Sequence, residues 1–482
     1  MIFEIYAERN KDDTKIFYYD NMNNMLSDDT GFVYQYPQRQ NIPPNIKKTV
    51  PFDKNNPLKK SKVIDTIKIQ LGLSCNYSCD YCSQKFVERP PETSKKDIDS
   101  FMSMLDTLEI TQETGLKVEF WGGEPLVYWK TLKPLAEAFK DKYKHWDKQK
   151  VNFSMVTNGS LLTREICSWL FYMGFSVGLS HDGPGQHVRG PDPFDDPEKK
   201  KIILEFYKIM KSQNRMSFNT MMNNKNTSRK AIYEWFVELT GDPDILIGEG
   251  GFVDAYDEDG INSSLDSLEE HFSYRRNAFN DIYSTDGKIN FHLTLSKVDD
   301  FTNRILNHIE ADYVGQKCGM DDEHTIAVDL KGNIVTCQNV SVKETSKNGE
   351  SHLGGNLNDY DNVELKSVTH WMNRANCKDC PVLHLCRGSC MYLDGKYWDI
   401  TCNNAYSDNI PLFALSIEKI TQGYVPVTIK GDGLPLERQD IWGTIYEHQD
   451  KEKKKVIPIK VVSEKAELID DIQVYSKSRV EI

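Results

Sequence analysis

IKIQLGLSCNYSCDYC, residues 67–82, begins as a β-type run and ends in three cysteines, Cys75, Cys79 and Cys82. The CxxxCxxC spacing gathers three thiolates round one corner of a small cluster. A four-iron cube held by three protein sulfurs keeps one iron open for a ligand that is not protein. A structural zinc site closes its tetrahedron with a fourth Cys or His nearby, and none follows Cys82 within the next dozen residues. Three cysteines alone also fit a redox or zinc loop, so the rest of the chain has to choose.

From residue 63 strand-like and helical patterns alternate. Strand-like runs fall near 64, 116, 151, 176, 215 and 244, with helical patterns at about 95–110, 132–144, 164–174, 197–213 and 228–240. Six β/α repeats predict a parallel sheet covered by helices, with its site at the carboxyl ends of the strands. The polar signals sit at those ends: WGGEP (Trp121–Pro125) after the second strand, TNGSLL after the third, SHDGP (Ser180–Pro184) after the fourth. Paired glycines let backbone approach a ligand closely, and Glu124 can meet an ammonium. Thr157 and Asn158 suit a ribose or carboxylate, or else an Asx turn capping the next helix. Ser180 is a further candidate contact; His181 and Asp182 face the same end. The Gly/Pro-punctuated segment Gln186–Pro197 is long for a turn and reads as a lid, a substrate contact or a surface excursion.

Cysteines return after a helical stretch at about 265–310. Cys318 and Cys337 flank a glycine turn at Gly332. A dense knuckle follows, Cys377, Cys380, Cys386 and Cys390, and then Cys402. Ten of the eleven cysteines fall in spaced groups; Cys167, in the apolar pattern REICSWLFYMG, reads as a core thiol. With no export signal, this usage points to metal or catalysis in a reducing compartment, so a cytoplasmic location is expected. A net charge of -13 disfavours sequence-independent nucleic-acid binding, and no apolar run reaches membrane-spanning length.

The first loop resembles the cluster motif of the radical S-adenosylmethionine (radical SAM) superfamily, with Tyr81 as its aromatic member, and WGGEP resembles that superfamily's GGE motif. The resemblance implies an α/β fold built on a partial (β/α)6 barrel. It also implies a [4Fe-4S] cluster whose open iron chelates S-adenosylmethionine, cleaved by one electron to a 5′-deoxyadenosyl radical. Gly122, Gly123, Glu124, Thr157, Asn158 and Ser180, with Tyr81, are the implied cofactor contacts. The later cysteines resemble the SPASM domain of peptide-maturing relatives, which holds two auxiliary [4Fe-4S] clusters, making three in all. By that likeness Cys377, Cys380, Cys386 and Cys402 ligate one cluster. Cys318, Cys337 and Cys390 ligate the other, whose fourth iron is open or takes His324. A pair of zinc knuckles is the alternative.

The domain reading is 1–62 N-terminal hairpin and linker, 63–260 barrel, 261–312 helical bridge, 313–410 SPASM domain and 411–482 β-rich C-terminal extension without chemistry. The expected partners are a precursor peptide and a reductant such as flavodoxin or ferredoxin, and the expected outcome is a C–C or thioether crosslink. The alternative is a sulfatase-maturing, formylglycine-generating activity. Against it, Gln338 and Asn339 follow Cys337 where those relatives carry an acid.

Overall fold

The structure is a computed structural model that describes residues 1–40, 47–85, 87–90, 92–147, 150–284, 292–346 and 349–444. Strands β1 (Ile2–Asn10), β2 (Asp13–Asp20), β3 (Met25–Asp28) and β4 (Val33–Tyr34) form an antiparallel meander, and β5 (Leu58–Lys59) follows the connector. The six expected parallel strands are β6 (Thr66–Gln70), β7 (Leu116–Trp121), β8 (Val151–Thr157), β9 (Phe175–Ser180), β10 (Met216–Met222) and β11 (Ile247–Phe252). Between them lie α1 (Ile98–Met104), α2 (Trp129–Lys142), α3 (Arg164–Met173), α4 (Pro197–Lys211) and α5 (Arg229–Thr240). Beyond β11 come α6 (Glu258–Asn262), α7 (Leu268–Tyr283) and α8 (His292–Leu306). The cysteine-rich part holds β12 (Thr325–Asp329), β13 (Asn333–Val335), β14 (Leu353–Asn356), β15 (Glu364–Leu365), α9 (Ala375–Lys378) and α10 (Leu383–Cys386). The long α11 (Gly395–Thr421), β16 (Val425–Lys430) and α12 (Leu436–Gln439) complete the described chain.

Local chemistry explains the helix boundaries. Thr163 accepts a bond from Ile166 N (3.2 Å) at the start of α3, and Gly174 ends that helix at φ +85°. Asp196 caps α4 with Pro197 at its first position, and Ser228 caps α5 by accepting from Ala231 N (3.1 Å).

The strands obey a period of two. Val118, Phe120, Phe153, Val177, Leu179 and Phe218 are buried beneath the helices. Phe175 lies between Phe120 and Phe153, at ring distances of 5.5 and 5.2 Å. The opposite face carries small or polar side chains, among them Ser154, Ser176, Gly178 and Asn219, and lines a cavity of about 390 Å³ with Glu119 and Trp121. At Gly178 a Cβ would stand 2.4 Å from Asn219 Nδ2, so a bulkier residue would obstruct this face.

The barrel is open. Its sheet runs β11-β10-β9-β8-β7-β6-β12-β13-β14, so the cysteine-rich segment adds three strands to the edge of the barrel sheet. β12 runs parallel to β6 in register Thr325↔Thr66 to Asp329↔Gln70, which places the flanking cysteines beside the first strand.

Two readings from sequence change here. The expected N-terminal hairpin of KIFYYD and GFVYQY is a larger sheet, β16-β1-β2-β3-β4, in which the opening strand β1 pairs with β2 and with β16 from the far end of the chain. Phe3, Ile5 and Ala7 alternate inward along β1, a pattern that Glu4, Tyr6 and Glu8 between them obscure. The break expected at 410 falls inside α11, because Ile410, Leu412 and Phe413 continue its buried face. Tyr19 of β2 packs edge-on against Phe413 (5.3 Å) and Phe301 (6.3 Å), seating the terminal sheet on α11 and α8. The strand-like run expected at 455–462 lies outside the described residues.

Candidate metal and cofactor sites

After β6 the chain turns into the cysteine loop, held by the Gly-Gly turn that follows β7. Gly123 N donates to Gly72 O and Glu124 N to Ser74 O, both at 3.1 Å. A Cβ on Gly123 would lie 2.4 Å from Ser74 O, and one on Gly122 2.7 Å from Gly72 O. The paired glycines therefore admit the cysteine loop itself. Tyr128 secures the loop from below: its hydroxyl accepts from Ser74 N (2.7 Å) and donates to Glu92 (2.9 Å).

Cys75 Sγ accepts from Tyr77 N (3.3 Å), and Cys82 Sγ from Gln84 N (3.4 Å). Burial pushes the Cys79 thiol up to about 12, opposed by the Arg189 guanidinium and reinforced by Cys82 and Cys75. Three thiols within electrostatic reach of one another, with N–H donors on sulfur and a cation beside them, suit a thiolate-held iron–sulfur cluster. Among the described residues, no three His, Cys, Asp or Glu side chains converge tightly enough to hold a single metal ion.

Glu124 is buried at the mouth of this loop. Its Oε1 accepts from Thr157 Oγ1 (2.6 Å) and Leu126 N (3.0 Å), and its Oε2 from Asn158 N (2.8 Å). Burial raises its pKa against those three bonds. Thr157 thus positions Glu124, and Asn158 does two local jobs: its Oδ1 forms the Asx turn with Ser160 N (3.0 Å), and its Nδ2 donates to Asn76 of the cysteine loop (2.9 Å). Ser180 is buried at the end of β9, in register with Asn219.

His181 and Asp182 are fully buried, and both are used within the protein. His181 Nδ1 accepts from Gly183 N (3.0 Å), so Nε2 carries the proton and donates to Asp192 (3.0 Å), while the ring stacks on Trp235 at 4.7 Å. Asp182 accepts from the Tyr81 hydroxyl, from Arg189 Nη1 (3.2 Å) and from Met221 N (2.9 Å). Arg189 Nη1 also donates to Tyr81 Oη (2.8 Å), and its buried Nε has no partner. Tyr81 therefore belongs to a hydrogen-bonded triad with Arg189 and the buried Asp182. The segment Gln186–Pro197 is a wall of the site: Val188 O accepts from Asp80 N (3.0 Å), and Arg189 reaches inward. Sequence reasoning missed Arg189, whose one signal was a cation inside a Gly/Pro loop.

The later cysteines fall into two groups by mutual influence. Cys377 is raised by burial and by Cys386, Cys380 and Cys402. Cys337 is pushed up to about 12 by burial, with Cys318 adding and Lys68 opposing, and Cys390 feels Cys337. Asn339 N donates to Cys337 Sγ (3.4 Å), and Lys68 Nζ to Cys318 O (3.0 Å). Tyr256, half-buried, hydrogen-bonds Cys390 and donates to Asp254 at 3.4 Å. His324 turns away: its Nδ1 meets Val63 O at 2.7 Å and its Nε2 approaches Glu323 at 3.4 Å. A hydrogen-bonded bridge joins this group to the first loop. Gln70 Nε2 donates to Gln338 O (2.7 Å) and Val340 O (2.8 Å), and Gln84 Nε2 to Asn339 Oδ1 (3.4 Å).

The four-cysteine group draws on segments before the barrel and after α11. Asn21, beside β2, donates to Lys378 O (2.8 Å) and Cys380 O (3.0 Å). Arg438 of α12 donates to Cys402 Sγ (3.2 Å), so the C-terminal extension, read from sequence as chemically silent, touches a candidate ligand. An amphipathic run without cysteine gave no hint of this. The buried Nε of Arg374 has no partner among protein atoms, and its charge reaches Cys377, Cys390 and Cys402. A buried N–H aimed among thiols fits a cluster with acceptor sulfurs. Cys167 is buried on α3, as expected of a core thiol.

The thiol loop stands at the carboxyl end of the first of six parallel strands. A family model described as the radical SAM superfamily matches residues 69–235, so the chain carries a radical SAM domain. It is 25% identical over 379 residues, 72% of each chain, to the radical SAM cyclopropyl synthase TigE of Paramaledivibacter caminithermalis. It is 24% identical over 351 residues to a cysteine-type anaerobic sulfatase-maturating enzyme of Clostridium perfringens, 66% of this chain and 85% of that one. The solved structure of native anSMEcpe with bound AdoMet superposes with a TM-score of 0.53 at 20% identity, covering 74% of this chain and 99% of that one. No helix among the described residues is long and apolar enough to cross a membrane.

Proposed function

We propose that this enzyme oxidises a side chain of a ribosomally made precursor peptide and closes a C–C or thioether crosslink. The observation that carries the reading is the joining of three thiol groups in one body. The first is tied to the second through Gln70 and Gln84, and the third is bonded by Asn21 and Arg438. An electron taken from substrate at the barrel mouth then has further centres within the same protein to receive it.

When bound, three [4Fe-4S] clusters and S-adenosylmethionine supply reductive C–S cleavage, hydrogen-atom abstraction and electron storage. Cys75, Cys79 and Cys82 hold the first cluster. Glu124 receives the ammonium of S-adenosylmethionine, since Oε2 has accepting capacity beyond its bond from Asn158 N. Arg189, fixed by Tyr81 and Asp182, presents its unpartnered Nε to a carboxylate. Cys318, Cys337 and Cys390 hold a second cluster with an open iron, in keeping with the turned-away His324. Cys377, Cys380, Cys386 and Cys402 enclose a third. A flavodoxin or ferredoxin in the cytoplasm supplies the first electron.

The formylglycine reading needs an acid just after Cys337. Neutral groups stand there instead: Asn339 Oδ1 accepts from Gln84, the Gln338 backbone carbonyl accepts from Gln70, and the buried Gln338 Oε1 has no partner among protein atoms. TigE, named a cyclopropyl synthase, and the sulfatase-maturating relative both favour oxidation of a side chain. The test is mass spectrometry of a small peptide encoded beside the gene and co-expressed with this chain. Loss of a pair of hydrogen atoms per crosslink supports the proposal. An unchanged peptide, together with conversion of a sulfatase Cys to formylglycine, overturns it.

A further inference from the structure

The three thiol groups sit in different fixed fields. Beside Cys75, Cys79 and Cys82 the positive charge of Arg189 is met by Asp182 at 3.2 Å, with Glu124 close by. Beside Cys318, Cys337 and Cys390 the charges of Lys68, Lys60 and Lys317 are opposed by Asp321 and Asp322 near Cys318 and by Asp254 near Cys390. The four-cysteine group shares Lys317 near Cys386 and has Asp379 near Cys380, but it differs in having a guanidinium bonded to a sulfur. Arg438 Nη2 donates directly to Cys402 Sγ at 3.2 Å, and the same nitrogen meets the neutral amide of Asn403 at 2.7 Å. A second guanidinium, Arg374, is held over Trp398 at 3.6 Å and tied to Leu393 O at 2.5 Å. Its counter-ion Asp394 lies 3.5 Å away toward solvent. Both arginines are at least nine-tenths buried, so bulk salt screens them weakly.

Reduction adds negative charge to an iron–sulfur centre. An adjacent cation and an N–H···S bond favour the reduced form and raise the potential. We propose that Arg438, assisted by Arg374, makes the site of Cys377, Cys380, Cys386 and Cys402 the strongest electron acceptor of the three, where the electron withdrawn from substrate comes to rest. This inference rests on the iron–sulfur reading above. A substrate that has surrendered a hydrogen atom loses one further electron and one proton as its new bond forms. A cluster held by Cys377, Cys380, Cys386 and Cys402 would take up that electron, lowering its charge by one, and the proton would go to water. A one-electron carrier of the ferredoxin class reoxidises the cluster. Arg438 is a positioning residue: it touches a ligand sulfur and no substrate.

The experiment uses the full chain, reconstituted anaerobically with iron and sulfide, as wild type, Arg438→Met, Arg438→Lys, Arg374→Met and a double variant, Cys377→Ala with Cys402→Ala. Iron per chain is measured first, then each cluster's reduction by an EPR-monitored redox titration. Arg438→Met is expected to keep wild-type iron and to lower one cluster's reduction equilibrium constant at least tenfold, about 59 mV for one electron. The other two clusters keep their midpoints, and Arg438→Lys restores part of the loss. Unchanged midpoints at full iron overturn the proposal. If Arg438→Met sheds iron, Arg438→Lys and Arg374→Met decide by the same titration: a lowered midpoint in one cluster supports the proposal, and wild-type midpoints in both overturn it. Equal iron in wild type and in the double variant, which leaves this site two thiols, defeats the cluster reading itself, a result that no shift in midpoint can imitate.

Discussion

The first thiol group and the four-cysteine group use the same chemistry on opposite plans. Cys75, Cys79 and Cys82 lie within eight consecutive residues, and the turns that hold them come from neighbouring strands of one sheet. The group of Cys377, Cys380, Cys386 and Cys402 is supported by Asn21 from one end of the described chain and Arg438 from the other. A site built from adjacent repeats depends on the barrel alone. A site closed by segments more than four hundred residues apart depends on both of them having folded, so iron there reports on their assembly.

The sharpest way to break this comparison is at the first loop. Cys82→Ala is expected to abolish release of 5′-deoxyadenosine from S-adenosylmethionine under dithionite, while iron in the later groups is retained. Persistent cleavage would remove the loop from its role and with it the contrast between a chemical and a supporting group. Next in size is Gly123→Ala. Its Cβ would press on Ser74 O at 2.4 Å, a backbone atom that cannot rotate away. A cost of about 3 kcal/mol is expected, the upper end for overpacking, seen as selective loss of iron from the first group.

How much of this was legible beforehand follows the same division. The six strands were readable because Val118, Phe120, Val177 and Leu179 alternate cleanly and the helices carry their caps within the sequence. The first loop was readable because its three thiols are neighbours. The Arg189–Asp182–Tyr81 triad was not, since it joins positions up to 108 residues apart through hydrogen bonds that leave no periodic trace. Pairing of β1 with β16 and the contact of Arg438 with Cys402 were hidden for the same reason. Spacing encodes ligands, whereas charge compensation and support come from whichever element packs alongside.

Asn21→Ala sharpens the second half of the comparison. Removing its amide leaves Lys378 O and Cys380 O without their donor inside the protein, at an expected cost of about 2 kcal/mol. Iron is expected to fall in the four-cysteine group while cleavage of S-adenosylmethionine continues at the first. Equal loss at both would mean that the terminal sheet supports the entire molecule and that the two plans are one.

The smallest effect comes from His384, which ties the same corner together. Its Nε2 donates to Asn21 O at 2.7 Å, and burial lowers its pKa from 6.5 to about 3. A histidine depressed in the folded state stays neutral there while the unfolded chain takes up a proton. Its stability contribution is therefore full above about pH 6.5 and is lost as pH falls from there toward about pH 3, at up to about 1.4 kcal/mol per pH unit. Urea unfolding at about pH 7 and about pH 5.5 should register a loss near 1 kcal/mol from this group, and His384→Gln should flatten that part of the slope. An identical slope in the variant would mean that the imidazole is protonated in the fold. The Asn21 carbonyl would then face a cation, and the corner would owe its order to charge instead of to a neutral, buried hydrogen bond.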